Sequence, residues 1–201
     1  MHQPEATVKR LDWKRIADKY LGPEYLFPFV LWMVVDRGEL SGRGLLLVAA
    51  LTVITVGIPK FIQHYLIKRG ITSEAILRTR SGRRNVWVVG SMVTGVTLSL
   101  TALFLLHPDR GLVAFYVALL AMVLAAYPCM FWLKVSGHAM GSAASMAAAF
   151  VFVGSWAWVF VPLMLIICVS RVVLGAHTPA EVLVGAMIGI LVPSVTFWVF
   201  L

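Results

Sequence analysis

Three short stretches hold residue types that could do chemistry together. The first is "VSGH", with Ser136, Gly137 and His138. The second is "SRVVLGAHTPAE", with Ser170, Arg171, His177 and Glu181. The third is "RTRSGRRN", which puts Arg78, Arg80, Arg83 and Arg84 within a single short segment. Two histidines, a carboxylate and several arginines suffice for phosphoryl transfer. One imidazole attacks phosphorus, the other protonates the leaving oxygen, and guanidinium groups neutralise the charge on the equatorial oxygens. No acidic cluster suited to Mg²⁺ accompanies them, so charge stabilisation is expected to come from arginine, without a metal or other cofactor.

Each residue also has a plainer explanation. Ser136 can cap the following helix, Gly137 can make a tight turn, and His138 can sit hydrogen-bonded at an interface. Thr178-Pro179-Ala180-Glu181 matches a capping box with proline at the first helical position. That box leaves Arg171 and His177 unexplained, and ionisable side chains beside apolar segments are costly unless they have a role. Glu181 lies one helical turn beyond His177, so its carboxylate can also orient the imidazole and raise its nucleophilicity. Topology alone would favour positive charge in the Arg78–Arg84 loop, but arginine at all four positions suits multidentate recognition of phosphate oxygens.

The elements that must position these groups are apolar. Of 201 residues, 60% are hydrophobic and 13% charged, about half the charged fraction of soluble domains. Continuous apolar runs reach the ~20 residues that a spanning helix needs, without the alternation of barrel strands. The reading is an all-α polytopic membrane bundle of six spans plus a short first membrane segment. Residues 1–20 are expected to form an interfacial amphipathic helix and residues 21–201 a single membrane-embedded domain. The first segment, "YLFPFVLWMVV", either spans or dips into the membrane. The spans are expected at 45–67, with a kink at Pro59, then 86–106, 112–133 with a kink at Pro128, 139–153, 159–169 and 178–201. Ala, Gly and Ser recur at four-residue spacing from Ala139 to Val153, which places that helix in the middle of the bundle. Two spans separate each polar stretch from the next, so all three belong to one membrane face.

The net charge of +8 does not indicate nucleic acid. The basic residues gather near the amino terminus and between Lys68 and Arg84, as segments beside anionic headgroups do. The partner is therefore the lipid bilayer. Cys129 and Cys168 lie inside apolar runs without metal or redox spacing and are read as packing residues. The charged amino terminus lacks the pattern of a removable signal peptide.

With these motifs the chain resembles the type-2 phosphatidate phosphatase superfamily of integral membrane lipid phosphatases, related to vanadium haloperoxidases. That family's pattern is K-x6-R-P, then P-S-G-H, then S-R-x5-H-x3-D. The second and third motifs are matched here from Ser136 and Ser170 with spacing intact; Val135 stands for the proline and Glu181 for the aspartate. The first motif differs, and the arginine-rich "RTRSGRRN" is similar to that of a bacterial subgroup. The resemblance implies His177 as the nucleophile forming a phosphohistidine and His138 as the acid for the leaving alkoxide. It implies phosphoryl binding by Arg171, Ser136, Ser170 and the Gly137 N–H, with Arg78 and Arg83 or Arg84 standing in for the first motif.

The expected function is metal-independent hydrolysis of a phosphomonoester or diphosphate of a membrane lipid, isoprenoid or glycerolipid, in a prokaryotic cell membrane. The alternatives are a transporter and a non-catalytic protein that binds lipid phosphates through a degenerate site. Positive charge favours a cytoplasmic site, whereas the family more often faces outward; both sides stay open.

Overall fold

In the computed structural model, residues 23–36, 42–73, 79, 82, 86–105 and 109–201 are described. Arg78, Arg80, Arg83, Arg84 and the expected amino-terminal interfacial helix lie outside them. The described residues are mostly helical, with no strand among them. We label the helices α1 (Pro23–Asp36), α2 (Gly42–Thr52), α3 (Ile58–Lys68), α4 (Val86–Leu105), α5 (Arg110–Cys129), α6 (Gly137–Phe152), α7 (Phe160–Val173) and α8 (Pro179–Phe200).

Among the described residues, five continuous segments are long and apolar enough to cross a membrane: Gly42–Lys68, Val88–Leu105, Arg110–Cys129, Gly154–Val173 and Pro179–Phe200. Their outer faces are greasy: Leu46, Leu105 and Trp198 are 73%, 77% and 84% exposed. A water-soluble bundle would turn such residues inward, so these faces fit an integral membrane protein. Two expected segments are shorter than a full crossing. The first segment forms α1, whose apolar stretch is limited to Leu26–Val35. The helix expected over 139–153 is α6, with 16 residues and a length of about 24 Å at 1.5 Å per residue.

Proline shapes two of the spans in different ways. Pro59 lacks an N–H, and its ring crowds the carbonyl four residues back. The chain responds with a π-helical stretch, Val53–Gly57, in which the Ile58 N–H bonds to the Val53 carbonyl. A β-carbon at Gly95 of α4 would stand only 2.9 Å from the Pro59 ring and 3.0 Å from the Thr55 carbonyl, so glycine there lets α4 press onto the distorted turn. Pro128 does not kink a continuing helix as expected. α5 ends one residue later, and 130–133 turn the chain instead.

As its composition predicts, α6 is central and packs on α8, α7 and α1. Ala139, Ala143 and Ala148 are buried. The partner surface is Gly185-x-x-x-Gly189 of α8. A β-carbon at Gly185 would lie 2.6 Å from the Ser136 carbonyl, and one at Gly189 would lie 2.2 Å from the Met140 carbonyl. Only hydrogen fits at either position. The two backbones therefore meet directly beside the Ser136-Gly137-His138 turn.

Candidate functional site

The second and third sequence motifs come together at one end of the bundle. α6 and α7 run out and back, so the residues after α7 return to the start of α6.

Two local motifs fix the spacing between Arg171 and His177. α7 ends in a Schellman arrangement: the Gly175 N–H bonds to the Val172 carbonyl at 2.9 Å and the Ala176 N–H to the Arg171 carbonyl at 3.1 Å. Gly175 takes the left-handed conformation this requires, with φ +66°. The Arg171 carbonyl also receives the His177 N–H at 3.2 Å. The chain then enters α8 through the predicted capping box, with Thr178 Oγ1 accepting from the Glu181 N–H at 3.3 Å and Glu181 Oε2 from the Thr178 N–H at 3.1 Å.

Glu181 is both cap and histidine partner. Its Oε2 lies 3.2 Å from His177 Nδ1. Its Oε1 accepts the backbone N–H of Lys134 at 3.1 Å. The carboxylate thus faces donors on both oxygens, with only 7% of the residue exposed. His177 Nδ1 also lies 2.9 Å from the Lys134 carbonyl. Two acceptors around Nδ1 assign the proton to that nitrogen, and the neutral ring keeps its lone pair on Nε2. In that tautomer Nε2 is the basic atom of the ring.

Lys134 was missed as a site residue, although it opens the segment that leads to His138. Its N–H holds Glu181, its carbonyl holds His177, and its ammonium donates to the Ala176 carbonyl at 2.7 Å. A second tie runs from the Ser136 N–H to the Glu181 carbonyl at 3.2 Å. The sequence signal was available: a lysine at a membrane boundary, next to an interruption of the apolar pattern, is costly without partners.

The start of α6 accounts for the second motif. Ser136 is fully buried, and its Oγ caps the helix by accepting the Ala139 N–H at 3.4 Å. Gly137 is the first helical residue, and nothing lies within 4 Å of where its β-carbon would stand. The first N–H groups of a helix have no intrahelical acceptor and carry partial positive charge, the arrangement that anions bind. His138 follows and lines a cavity of ≈480 Å³.

Arg171 sits in the last turn of α7, 8% exposed, and places a guanidinium in this buried neighbourhood. Ser170 beside it is fully buried, and its hydroxyl donates to the Ile167 carbonyl at 2.7 Å. Of the expected site residues, Ser136, Gly137, His138, Ser170, Arg171, His177 and Glu181 are found at this end of the bundle. Arg78, Arg83 and Arg84 lie outside the described residues. Among the described residues, no three His, Cys, Asp or Glu side chains gather as a metal ligand set.

Chemically, the arrangement provides an oriented imidazole, a second histidine, a buried guanidinium and an open helix amino terminus. Comparison with known proteins finds no match to this chain among family models, curated proteins or solved structures.

Proposed function

We propose that the chain is a metal-independent lipid phosphatase that hydrolyses a phosphomonoester or diphosphate of a membrane lipid through a phosphohistidine. The observation that carries this reading is the state of His177: Nδ1 is held between the Lys134 carbonyl and the Glu181 carboxylate. Such a clamp orients the imidazole, leaves Nε2 basic, and stabilises the cation that forms as Nε2 bonds to phosphorus.

In the proposed reaction His177 Nε2 attacks phosphorus as the bond to the lipid oxygen breaks. His138 donates a proton to that oxygen, so the lipid alcohol, or the lower phosphate of a diphosphate, departs. A water then attacks the phosphohistidine and gives its proton to His138. Inorganic phosphate leaves and both histidines return to their starting states. Arg171, the Gly137 N–H and the Ser136 hydroxyl bind the phosphoryl oxygens, with Ser170 behind them and Arg78, Arg83 or Arg84 closing the site from the loop. In this reading α6 also crosses the membrane, completing six crossings after α1, and the membrane is that of a prokaryotic cell.

The test is phosphate release from a panel of lipid phosphates by the purified protein in EDTA. Turnover is expected with wild type and at least a hundredfold less with His177→Ala, while both proteins purify with equal helical content. A phosphorylated intermediate, stable in alkali and labile in acid, is expected from wild type alone. No release from any lipid phosphate, or full activity in His177→Ala, would overturn the proposal.

A further inference from the structure

The cavity that begins at His138 continues into the bundle, away from the His177 loop. Val88 and Val96 of α4, and Leu119 and Tyr127 of α5, all line it. Each pair is eight residues apart, so the cavity is about 12 Å deep along both helices, close to half of a ~30 Å hydrocarbon core. Polar groups stand at its two ends. Lys60, Gln63 and His138 lie toward the site, and Thr55 lies at the far end; the wall between them is apolar.

The far end is bordered by a hydrogen-bonded group. Thr55 belongs to the π-helical stretch, and its Oγ1 lies 2.7 Å from Ser99 Oγ and 3.1 Å from the Tyr116 hydroxyl. Phe27 of α1 also lines the cavity; its ring packs edge-on against Tyr116 at 6.4 Å and lies tilted against Phe115 at 5.8 Å. Tyr116 is fully buried behind them. One wall leads outward instead: Met92 lines the cavity and is 43% exposed on the side that faces lipid.

We infer that this cavity is a chamber for hydrocarbon of the substrate, entered sideways past Met92, with Phe27 and Thr55 setting how long a chain it takes in. The inference rests on the phosphatase reading above and adds where the lipid goes: the first segment of its hydrocarbon leaves the bilayer and lies inside the protein. Two features commit the cavity to that occupant. Its volume of ≈480 Å³ is in the range of small-molecule sites, and its lining between the polar ends is apolar. Its head is His138, the acid for the leaving oxygen, and the leaving oxygen is the atom that bears the chain.

The experiment uses n-alkyl phosphonates of increasing length with a diazirine at the chain terminus, photolysed with the purified full chain in lipid nanodiscs and mapped by mass spectrometry. Labels are expected to move with length from Met122–Met130 toward Leu119, Thr55 and Phe27, then to stop there. Still longer chains are expected to label Met92, having turned back toward the bilayer. Excess unlabelled phosphonate should abolish this pattern. Phe27→Ala is expected to let longer chains reach the far end, and Val123→Phe, at a half-buried wall position, to stop the label earlier. Labelling of outward-facing residues such as Leu191 and Trp198 at every length, or a stopping length that neither variant moves, would overturn the chamber while leaving phosphate release intact. Chain labelling that a neutral alkanol displaces as well as the phosphonate does would overturn the assignment to a phosphate-bearing lipid. That result would accompany failure of the phosphatase reading.

Discussion

Replacing Glu181 by glutamine removes one acceptor where both oxygens are already in use. The carboxylate faces three donors: Lys134 N–H on Oε1, and Thr178 N–H and His177 Nδ1 on Oε2. An amide has one oxygen. In the less costly orientation that oxygen replaces Oε2 and the amide NH₂ points at the Lys134 N–H, donor against donor. A buried donor left without an acceptor costs ~1–3 kcal/mol, and the other two bonds lose their charge assistance. A stability loss of about 2 kcal/mol follows, roughly 4–8 °C in Tm for a chain of this size. A capping box on its own accepts glutamine, and on sequence grounds the change leaves stability nearly untouched. The Lys134 contact is what alters that expectation. Turnover suffers separately, since the neutral amide no longer stabilises the imidazolium: at least tenfold, or about 1.4 kcal/mol. Glu181→Asp keeps the anion and should retain more turnover than Glu181→Gln, though its shorter reach cannot meet all three donors. The assays are thermal unfolding in detergent and single-turnover phosphate release. A Glu181→Gln protein with wild-type Tm would refute the three-donor geometry. Wild-type turnover at lowered Tm would confine Glu181 to a structural role.

Other expectations follow from the same site and its supports. His138→Ala should slow alkyl substrates by ~10²-fold or more, whereas an aryl phosphate with an acidic leaving group should be partly spared; equal losses on both would remove His138 as the acid. Gly175→Ala forces a β-carbon into the left-handed conformation of the Schellman turn, costing about 1–2 kcal/mol and displacing His177. Tm and turnover should both fall, and an unchanged Tm would contradict the φ +66° turn. Gly189→Leu drives a side chain into the Met140 carbonyl and should separate α6 from α8 and reduce folded yield, whereas Gly90→Leu, where nothing lies within 4 Å, should be tolerated.

Much of the molecule was legible in the chain because a bilayer leaves few choices. Backbone groups in lipid must bond within their own segment, so long apolar runs become helices, and the spans over Val88–Leu105 and Pro179–Phe200 agree with the runs that predict them. The capping box and the small-residue helix were legible for a similar reason, since each depends on neighbours one turn away. Other features depended on what approaches from elsewhere in the fold. Pro128 reads as a kink because sequence does not say whether a helix resumes after a proline; in the fold the chain turns to bring Lys134 to the His177 loop. Gly185-x-x-x-Gly189 is visible as a pattern, but only the crossing shows which carbonyls it admits. The double duty of Glu181 arises because the Lys134 N–H and carbonyl arrive across 47 and 43 residues of sequence. Composition and spacing name the residues of a site. Which nitrogen of His177 carries the proton is decided by two acceptors that only tertiary packing brings within reach.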